Sequence, residues 1–256
     1  MYYVPGPPLS EFISVFWYFP SQDVPNATES VLPTGSVDLI IRLDSADVSD
    51  SAMFGPRTRS VVIKTTSRQE LLGVHFKLGG AFPFLRFPLG ELQNAGISLG
   101  DLWGKEDAER LVCSLHEART GEMKFRILEQ WLRRLGGDRL EKHPAVTFAM
   151  RLFCTGPHGS VADIADKTGY SQRHFIDLFR NEVGLTPKRF QRLYRFRKVI
   201  EAVQRRNVVD WIDIGLTLGY FDQAHLIHDF REFSDLTPEQ YLSRRTPFIN
   251  HVRLAD

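Results

Sequence analysis

The chain has 256 residues, of which 43% are hydrophobic and 25% are charged. These proportions are those of folded globular proteins and exclude a disordered or low-complexity chain, and the length is typical of two domains. The 32 Lys and Arg residues nearly balance the 31 Asp and Glu residues, so the total charge does not indicate a polyanion or a membrane surface as partner.

The cellular setting is predicted from the cysteine content and the hydropathy. The two cysteines, Cys113 and Cys154, cannot form a disulfide framework or a four-thiolate zinc site, so a reducing compartment fits best. No apolar run approaches the ~20 residues that are needed to span a bilayer. The N-terminus has no apolar stretch headed by Lys or Arg, which argues against a signal peptide. We expect a cytoplasmic protein without a membrane partner.

The first half of the chain has the pattern of a β-rich domain. Short apolar or alternating runs at residues 37–43, 61–64 and 71–76 are separated by Pro and Gly, as in a sandwich or a barrel. After Gly104 the apolar period becomes helical and continues to Gly136. We therefore expect an α+β multidomain protein, with a β-rich, barrel-like N-terminal domain and trailing helices followed by an all-α domain.

The charge is divided unevenly between the two halves. Residues 1–142 carry 16 basic and 18 acidic side chains, net −2, whereas residues 143–256 carry 16 and 13, net +3. A locally basic segment is typical of phosphate binding, although a solvated helix face gives the same pattern. The predicted segments are a sensing or dimerisation domain at 1–136, a linker at 137–143, a helical domain at 144–246 and a tail at 247–256.

The second half contains two copies of one sequence unit, at residues 163–190 and 213–241. Two copies are too few for a solenoid, so they indicate a duplicated supersecondary unit. The matched segments, at an offset of 50 and then of 51 because one residue is inserted, are Asp163-Ile164 with Asp213-Ile214, Gly169-Tyr170 with Gly219-Tyr220, Phe179-Arg180 with Phe230-Arg231, and Leu185-Thr186-Pro187 with Leu236-Thr237-Pro238.

Each unit has the pattern of a helix-turn-helix. A short helix ends at Gly169, which can adopt the left-handed conformation of a sharp turn, and Ser171 then caps a second helix. Asp222 is the equivalent cap in the second copy. A helix that opens at Pro187 and runs to Arg206 is expected to join the units. A plain helical hairpin is the alternative for one copy, but two copies in phase, joined by a basic helix, favour DNA binding.

Around Gly169-Tyr170-Ser171 and Gly219-Tyr220, each followed by Leu-Thr-Pro and an aromatic residue, the sequence resembles the DNA-binding region of AraC/XylS-type transcription regulators. The resemblance covers residues 144–246. It implies that the second helix of each unit, here the recognition helices at residues 171–181 and 222–233, lies in the major groove. Double-stranded DNA is then the partner, and contact with RNA polymerase is compatible with this function.

The N-terminal half resembles a β-rich domain that precedes such pairs in some members of the family. The resemblance lies in residues 31–40, 73–80 and 102–104. It implies a cupin-like domain that senses a small-molecule effector or dimerises the protein, so a monomer and a homodimer both fit. The sequence alone identifies no ligand-binding residue in this half.

Arg173 is the residue expected to read a base directly, since its guanidinium can donate two hydrogen bonds to guanine. The glutamines at the start of each recognition helix could read adenine, and flanking basic residues could position the DNA backbone. His225 and His228 also have a metal-binding spacing, but groove contact is favoured because no Cys or third His lies close in sequence. The residues expected to contact DNA are Ser171, Gln172, Arg173, Ile176, Asp177, Arg180, Lys188, Arg189, Asp222, Gln223, Ala224, His225, His228 and Arg231.

Three positions depart from the pattern of this family. Asp177 occupies an outward position that members often fill with Arg or Lys, and DNA phosphate repels a carboxylate. Gly215 replaces a usual Ala within a helix, at a cost of about 1 kcal/mol. Asp235 stands where Gly is usual before Leu-Thr-Pro. These departures keep open an alternative function, an interaction protein with weakened DNA binding.

An enzyme with a DNA-targeting domain is the remaining alternative. Asp38 and His75 each interrupt an apolar strand and could face a ligand, although a hydrogen-bonded core position is the commoner role. The tryptophans could line an apolar pocket or belong to the core. The sequence has no nucleophile–base pair, phosphate loop or metal motif, so we expect no enzyme activity, no metal and no cofactor. The tryptophans in question are Trp17, Trp103 and Trp131.

Overall fold

The computed structural model describes residues 1–21, 27–45, 47–65, 69–155, 160–204, 206 and 208–254. Within them the strands are β1 (Tyr2–Tyr3), β2 (Ile13–Phe19), β3 (Ala27–Val31), β4 (Asp38–Arg42), β5 (Ala52–Phe54), β6 (Val61–Thr65), β7 (Leu71–Phe76), β8 (Gly96–Ser98) and β9 (His251–Arg253). The helices are α1 (Leu99–Trp103), α2 (Lys105–Glu117), α3 (Gly121–Gly136), α4 (Pro144–Thr155), α5 (Val161–Thr168), α6 (Gln172–Val183), α7 (Pro187–Val203), α8 (Trp211–Thr217), α9 (Gln223–Ser234) and α10 (Pro238–Arg244). None of these helices is long and apolar enough to cross a membrane.

Six antiparallel strands form the main sheet of the N-terminal half, in the order β1-β2-β7-β4-β5-β8. Alternation along β4 explains its place in the sheet, since Leu39 and Ile41 are fully buried while Ile40 between them is partly exposed. The sequence pattern predicts a barrel-like domain. Within the described residues β1 and β8 remain edge strands, so the sheet is open and does not close into a barrel.

Helices α2 and α3 complete the first hydrophobic core. The apolar positions predicted from helical spacing face it, and Leu111, Leu115 and Leu128 are at most 1% exposed. Thr120 caps α3 by accepting a hydrogen bond from the backbone N–H of Met123. These helices and the main sheet therefore share one core.

A second hydrophobic core is formed by the helices from α4 onward. Phe153, Phe179, Phe196 and Phe230 are nearly fully buried in it. Leu32, from the N-terminal half, also belongs to this core. The predicted change from a β-rich to a helical region is confirmed, and the two regions have largely separate cores.

The chain returns to the N-terminal half at its C-terminal end. Strand β9 pairs with β3 in a three-stranded antiparallel sheet of order β6-β3-β9, with His251 opposite Val31. Nδ1 of His251 lies 2.6 Å from Oε2 of Glu29. Residues 251–253, which the sequence assigns to a tail, are therefore an ordered part of a sheet, and the last two residues of that tail lie outside the described residues.

The two halves also meet at the first recognition helix. The one-turn helices Phe82–Phe84 and Leu89–Leu92 pack against α6. A Cβ placed on Gly90 would lie only 2.8 Å from Cγ of Arg180. The C-terminal part of α6 is therefore in close contact with the N-terminal half.

Candidate nucleic-acid interface

The first helix-turn-helix unit consists of α5 and α6. Ser160 and Asp163 form a reciprocal capping box at the start of α5, and Gly169 ends this helix in the left-handed conformation, with φ +76°. Ser171 then caps α6 by accepting a hydrogen bond of 3.3 Å from the backbone N–H of His174. The predicted left-handed turn and helix cap are confirmed.

The second unit, α8 with α9, is built in the same way. Asp210 caps α8, and the turn that follows places Gly219 at φ +78°. Asp222 caps α9 by accepting a hydrogen bond of 2.7 Å from the backbone N–H of His225. Leu226 is buried beneath the helix, as its spacing predicts. Both units thus present the second helix with its polar side outward.

Helix α7 joins the two units. Thr186 is its N-cap, and Pro187 occupies its first turn, as predicted. The helix ends at Val203, earlier than the expected end at Arg206. Its buried residues pack between the units and hold them in one body, and they include Phe190, Leu193, Val199, Ile200 and Val203.

The first turns of both recognition helices carry exposed side chains. Gln172 and Arg173 in α6 are exposed, as are Gln223 and Ala224 in α9. No side chain among the described residues forms an ion pair with Arg173, so its guanidinium is available to a ligand. The repeat places Ala224 at the position of Arg173, so the second helix lacks a counterpart of the predicted base reader.

Two histidines in these first turns form an equivalent pair that the sequence analysis recognised only in part. His174 lies against the ring of Tyr170, with ring centroids 4.9 Å apart, and His225 lies against Tyr220 at 5.2 Å. The Gly-Tyr motif therefore supports the first turn of each recognition helix. The repeat offset of 51 alone would have identified His174 as the partner of His225.

Phe221 is a second exposed residue that the sequence analysis missed. It is inserted between Tyr220 and the cap residue Asp222, and 87% of its surface is exposed. A large apolar side chain at the start of a recognition helix can contact a thymine methyl group. The single-residue insertion in the repeat is the sequence signal that marks it.

The middle of each recognition helix differs between the copies. Asp177 and its equivalent, His228, are both exposed, whereas Ile176 is half-buried. A carboxylate in this place repels DNA phosphate, although it can accept a hydrogen bond from cytosine N4. The centre of the first helix therefore exposes an acidic side chain where the second helix exposes a histidine.

Three of the four flanking basic residues are on the surface of the protein. Arg180, Lys188 and Arg231 are exposed. The stem of Arg180 lies on Gly90 of the N-terminal half, so its position depends on the contact between the two halves.

The fourth, Arg189, is engaged within the protein. Its guanidinium pairs with Glu232 of α9, and Arg192 pairs with both Glu232 and the fully buried Asp229. Burial opposes ionisation of Glu232, but hydrogen bonds from Arg192 and Arg189 outweigh it and hold the pKa of this carboxyl below its usual range. The expected role of Arg189 in phosphate binding therefore competes with a structural ion pair between α7 and α9.

His228, Asp229 and Glu232 are close enough together to suggest a metal site. The two carboxylates already pair with Arg189 and Arg192, whose positive charges oppose a cation. His225 is not part of this group. The cluster is accordingly an ion-pair network that fixes α9 on α7.

The ends of the two recognition helices are equivalent but chemically different. Gly184 follows α6 with φ +83°, and Asp235 follows α9 with φ +60°. The left-handed conformation is unfavourable for a residue that has a side chain, and glycine avoids this cost in free energy. Gly215 lies inside α8, where a glycine lowers the stability of the helix and so of the second unit. A Cβ at this position would lie 3.3 Å from Leu226, which leaves little room for a larger residue. The prediction that Asp235 replaces a turn glycine is confirmed.

Asp38 and His75 lie opposite each other on β4 and β7, with Oδ1 of Asp38 2.6 Å from Nδ1 of His75. The side chains are 37% and 33% exposed, so they form a hydrogen-bonded pair at the sheet surface and not in the core.

Trp103 and Trp131 contact each other, with ring centroids 6.1 Å apart, and Trp17 covers Gly73 of β7. Each tryptophan thus has a packing partner within the protein.

Two family models match the chain. One is a domain of unknown function (DUF6597) at residues 1–98, and the other is a helix-turn-helix domain at residues 164–244. The chain is 26% identical to the probable transcription factor PqrA of Proteus vulgaris over 92 residues, which cover 36% of this chain and 75% of that protein. Two structures of ToxT from Vibrio cholerae align with TM-scores of 0.40 at 9% and 11% identity, each over 90% of this chain and over 94% and 93% of theirs.

The helix-turn-helix model spans both units, from α5 to α10, and its bounds coincide with the region in which the duplicated pattern was found. The first model covers the strands of the main sheet. Behind a domain of unknown function, the chain therefore carries the AraC-type helix-turn-helix domain of a DNA-binding transcription regulator.

Proposed function

We propose that this regulator reads one DNA sequence with both recognition helices, α6 and α9 lying in adjacent major grooves. The observation that carries the proposal is the duplication, since two capped helix-turn-helix units are attached to a single helix, α7. Each unit exposes the first turn of its second helix, which is the part of this motif that contacts bases. One chain can therefore contact two grooves without a second subunit.

The contacts divide into base reading and backbone positioning. Arg173 is proposed to read guanine, and His225 and Phe221 to contact bases from the second helix. Arg180 and Arg231, at equivalent exposed positions, are proposed to bind phosphates. The remaining proposed contacts are Ser171, Gln172, Ile176, Asp177, Lys188, Asp222, Gln223, Ala224 and His228, with Arg189 only when it leaves Glu232.

The N-terminal domain is proposed to control this reading in response to a small molecule or a partner. Its support is that one segment of this domain touches the ends of both recognition helices. A Cβ on Gly184 would lie 2.5 Å from Cγ of Pro56, and the Ser60 hydroxyl donates a hydrogen bond of 2.7 Å to Asp235. A shift of residues 56–60 would therefore act on both helices at once.

The test is selection from a random duplex library with full-length protein at near-physiological salt. Two enriched sequence blocks centred about 10 bp apart are expected, because adjacent major grooves on one face are separated by one helical turn. A single block would leave one of the two helices without a reading role. Failure to enrich any sequence would contradict the proposal.

A protein-interaction role with weakened DNA binding is the second candidate. The observations that favour it are the exposed Asp177 in the first recognition helix and Ala224 in place of an arginine in the second. The salt dependence of duplex binding separates the two, because a true binder loses affinity steeply as salt rises, with a logarithmic slope of about −0.9 for each phosphate neutralised. A slope near zero would favour the interaction role.

A further inference from the structure

A polar cavity of about 370 Å³ lies where the N-terminal domain meets α7. This volume is at the small end of the range of ligand pockets, about 300–1,000 Å³. Three of its lining residues are arginines, and none of the described lining residues is acidic. The side chains that carry the argument are Arg57, Thr58, Arg59, Gln93, Asn94 and Arg189.

The wall of the cavity is rigidly built. Asn94 has a left-handed backbone, with φ +58°, and its N–H donates to the carbonyl of Pro56. Its Oδ1 accepts a hydrogen bond of 2.7 Å from the N–H of Thr58, and its amide donates to the Thr58 hydroxyl at 3.0 Å. Thr58 is 1% exposed. These bonds fix the segment that carries Arg57 and Arg59 to the segment that carries Gln93 and Asn94.

The two arginines of the N-terminal domain differ in burial, since Arg57 is half-buried and Arg59 is exposed. Arg57 lies over the ring of Phe54, 5.2 Å from its centroid, and burial lowers the pKa of its guanidinium although the charge of Asp38 opposes this shift. No carboxylate among the described residues forms an ion pair with Arg57 or Arg59. Partial burial of a cation that forms no ion pair is costly, and an anion bound beside Arg57 would reduce that cost.

The third arginine connects the cavity to a recognition helix. Arg189 lines the cavity, pairs with Glu232 of α9 and lies over the ring of Phe233 at 5.0 Å. Glu232 is also held by Arg192, so it keeps one partner if Arg189 leaves. Arg189 can therefore be recruited by a ligand without leaving a carboxylate unpaired.

We propose that this cavity binds a small molecule with a doubly negative head group, of the phosphate or dicarboxylate class, and that binding draws Arg189 from Glu232 toward Arg57 and Arg59. Guanidinium groups match such oxygens through paired, charge-assisted hydrogen bonds. This proposal rests on the proposed function, because it names the class of ligand through which the N-terminal domain would control α9.

The binding test does not involve DNA. Full-length protein is titrated with inorganic phosphate and with succinate at constant ionic strength, and binding is followed by calorimetry and by the shift in Tm, with acetate as a singly charged comparison. We expect phosphate or succinate to bind and raise Tm, and Arg57→Gln and Arg59→Gln each to weaken binding by about tenfold or more. Arg119→Gln, an exposed arginine elsewhere, is the matched control and should bind as the unchanged protein does.

A DNA backbone phosphate could supply the same chemistry, so a second arm measures duplex binding without added anion. Arg57→Gln should then bind DNA as tightly as the unchanged protein and should lose only the response to the anion. A weaker affinity with a reduced salt slope would assign the cavity to DNA phosphate and overturn the proposal. Equal anion binding by the unchanged protein and both variants, or none by any of them, would also overturn it. Calorimetry measures anion binding without a duplex, so a failure of the proposed DNA reading can be distinguished from a failure of anion binding.

Discussion

The hydroxyl of Ser60 donates a hydrogen bond of 2.7 Å to Oδ2 of Asp235, the residue that ends the second recognition helix. The first recognition helix ends at Gly184, which abuts Pro56 of the same segment. Equivalent points of the two copies are therefore held by residues 56–60 of the N-terminal domain. The control of DNA reading, as proposed above, acts through the ends of the recognition helices and leaves their first turns exposed.

Arg173→Ala tests the orientation of the first recognition helix. The variant is expected to lose about 1–3 kcal/mol of discrimination at one base pair of the selected site, because one bidentate contact to guanine is removed. Competition binding with single-base variants of the site measures this loss. Arg119→Ala, which removes an exposed arginine from the N-terminal domain, is the control. Unchanged discrimination would mean that α6 presents another face to DNA.

The cost of the left-handed backbone at Asp235 can be measured by two substitutions. Asp235→Gly and Asp235→Ala both remove the hydrogen bond to Ser60, but only glycine adopts φ +60° without strain. The glycine variant should therefore be more stable than the alanine variant by about 1–2 kcal/mol. Urea unfolding of the two variants gives the difference. Equal stabilities would contradict the left-handed conformation at this position.

The ion pair between Arg192 and the buried Asp229 should be essential to the packing of α9. Arg192→Met leaves a carboxylate buried with its main partner removed, and breaking such a pair costs about 3–5 kcal/mol. Arg197→Met on the same helix breaks only a partly exposed pair with Glu201 and should cost less than about 1 kcal/mol. Chemical unfolding compares them, and similar losses for the two variants would show that Asp229 does not depend on Arg192.

Glu182 should make stability depend on pH. This carboxyl is 8% exposed, and burial raises its pKa, although it accepts a hydrogen bond of 3.3 Å from the N–H of His143. A raised pKa in the folded state means that its contribution to stability is present at low pH and is lost as the pH rises through that pKa. Glu182→Gln, which cannot ionise, should therefore gain stability relative to the unchanged protein between about pH 4 and pH 7.

Urea midpoints at the two pH values test this expectation. Glu239→Gln, which alters an exposed glutamate on α10, is the matched control. A difference between Glu182→Gln and the unchanged protein that stays constant with pH would contradict it.

The local features of the interface could be predicted because each depends on a few neighbouring residues. Ser171 and Asp222 cap the helix that begins immediately after them, and Gly169 supplies a turn that other residues rarely adopt. The burial of Phe179 and Leu226 follows from helical spacing. The two caps and the turn at Gly169 are predicted correctly from the sequence.

The features that join distant segments could not be predicted in this way. The pairing of Arg189 with Glu232 depends on how α7 lies against α9, and no spacing within either helix determines it. The contact between His251 and Glu29 joins residues 222 positions apart. For the same reason, the cavity beside Arg57 has no sequence motif, because its two walls come from different domains.

Strand β9 gives the two domains a mechanical constraint. The polypeptide passes from the first core to the helical core after α3, and β9 then pairs with β3 of the N-terminal half, where Leu32 and Val252 both belong to the helical core. Separation of the N-terminal half from the helical domain must therefore peel β9 from β3 and also break the contacts that Pro56, Ser60 and Gly90 make at the recognition helices.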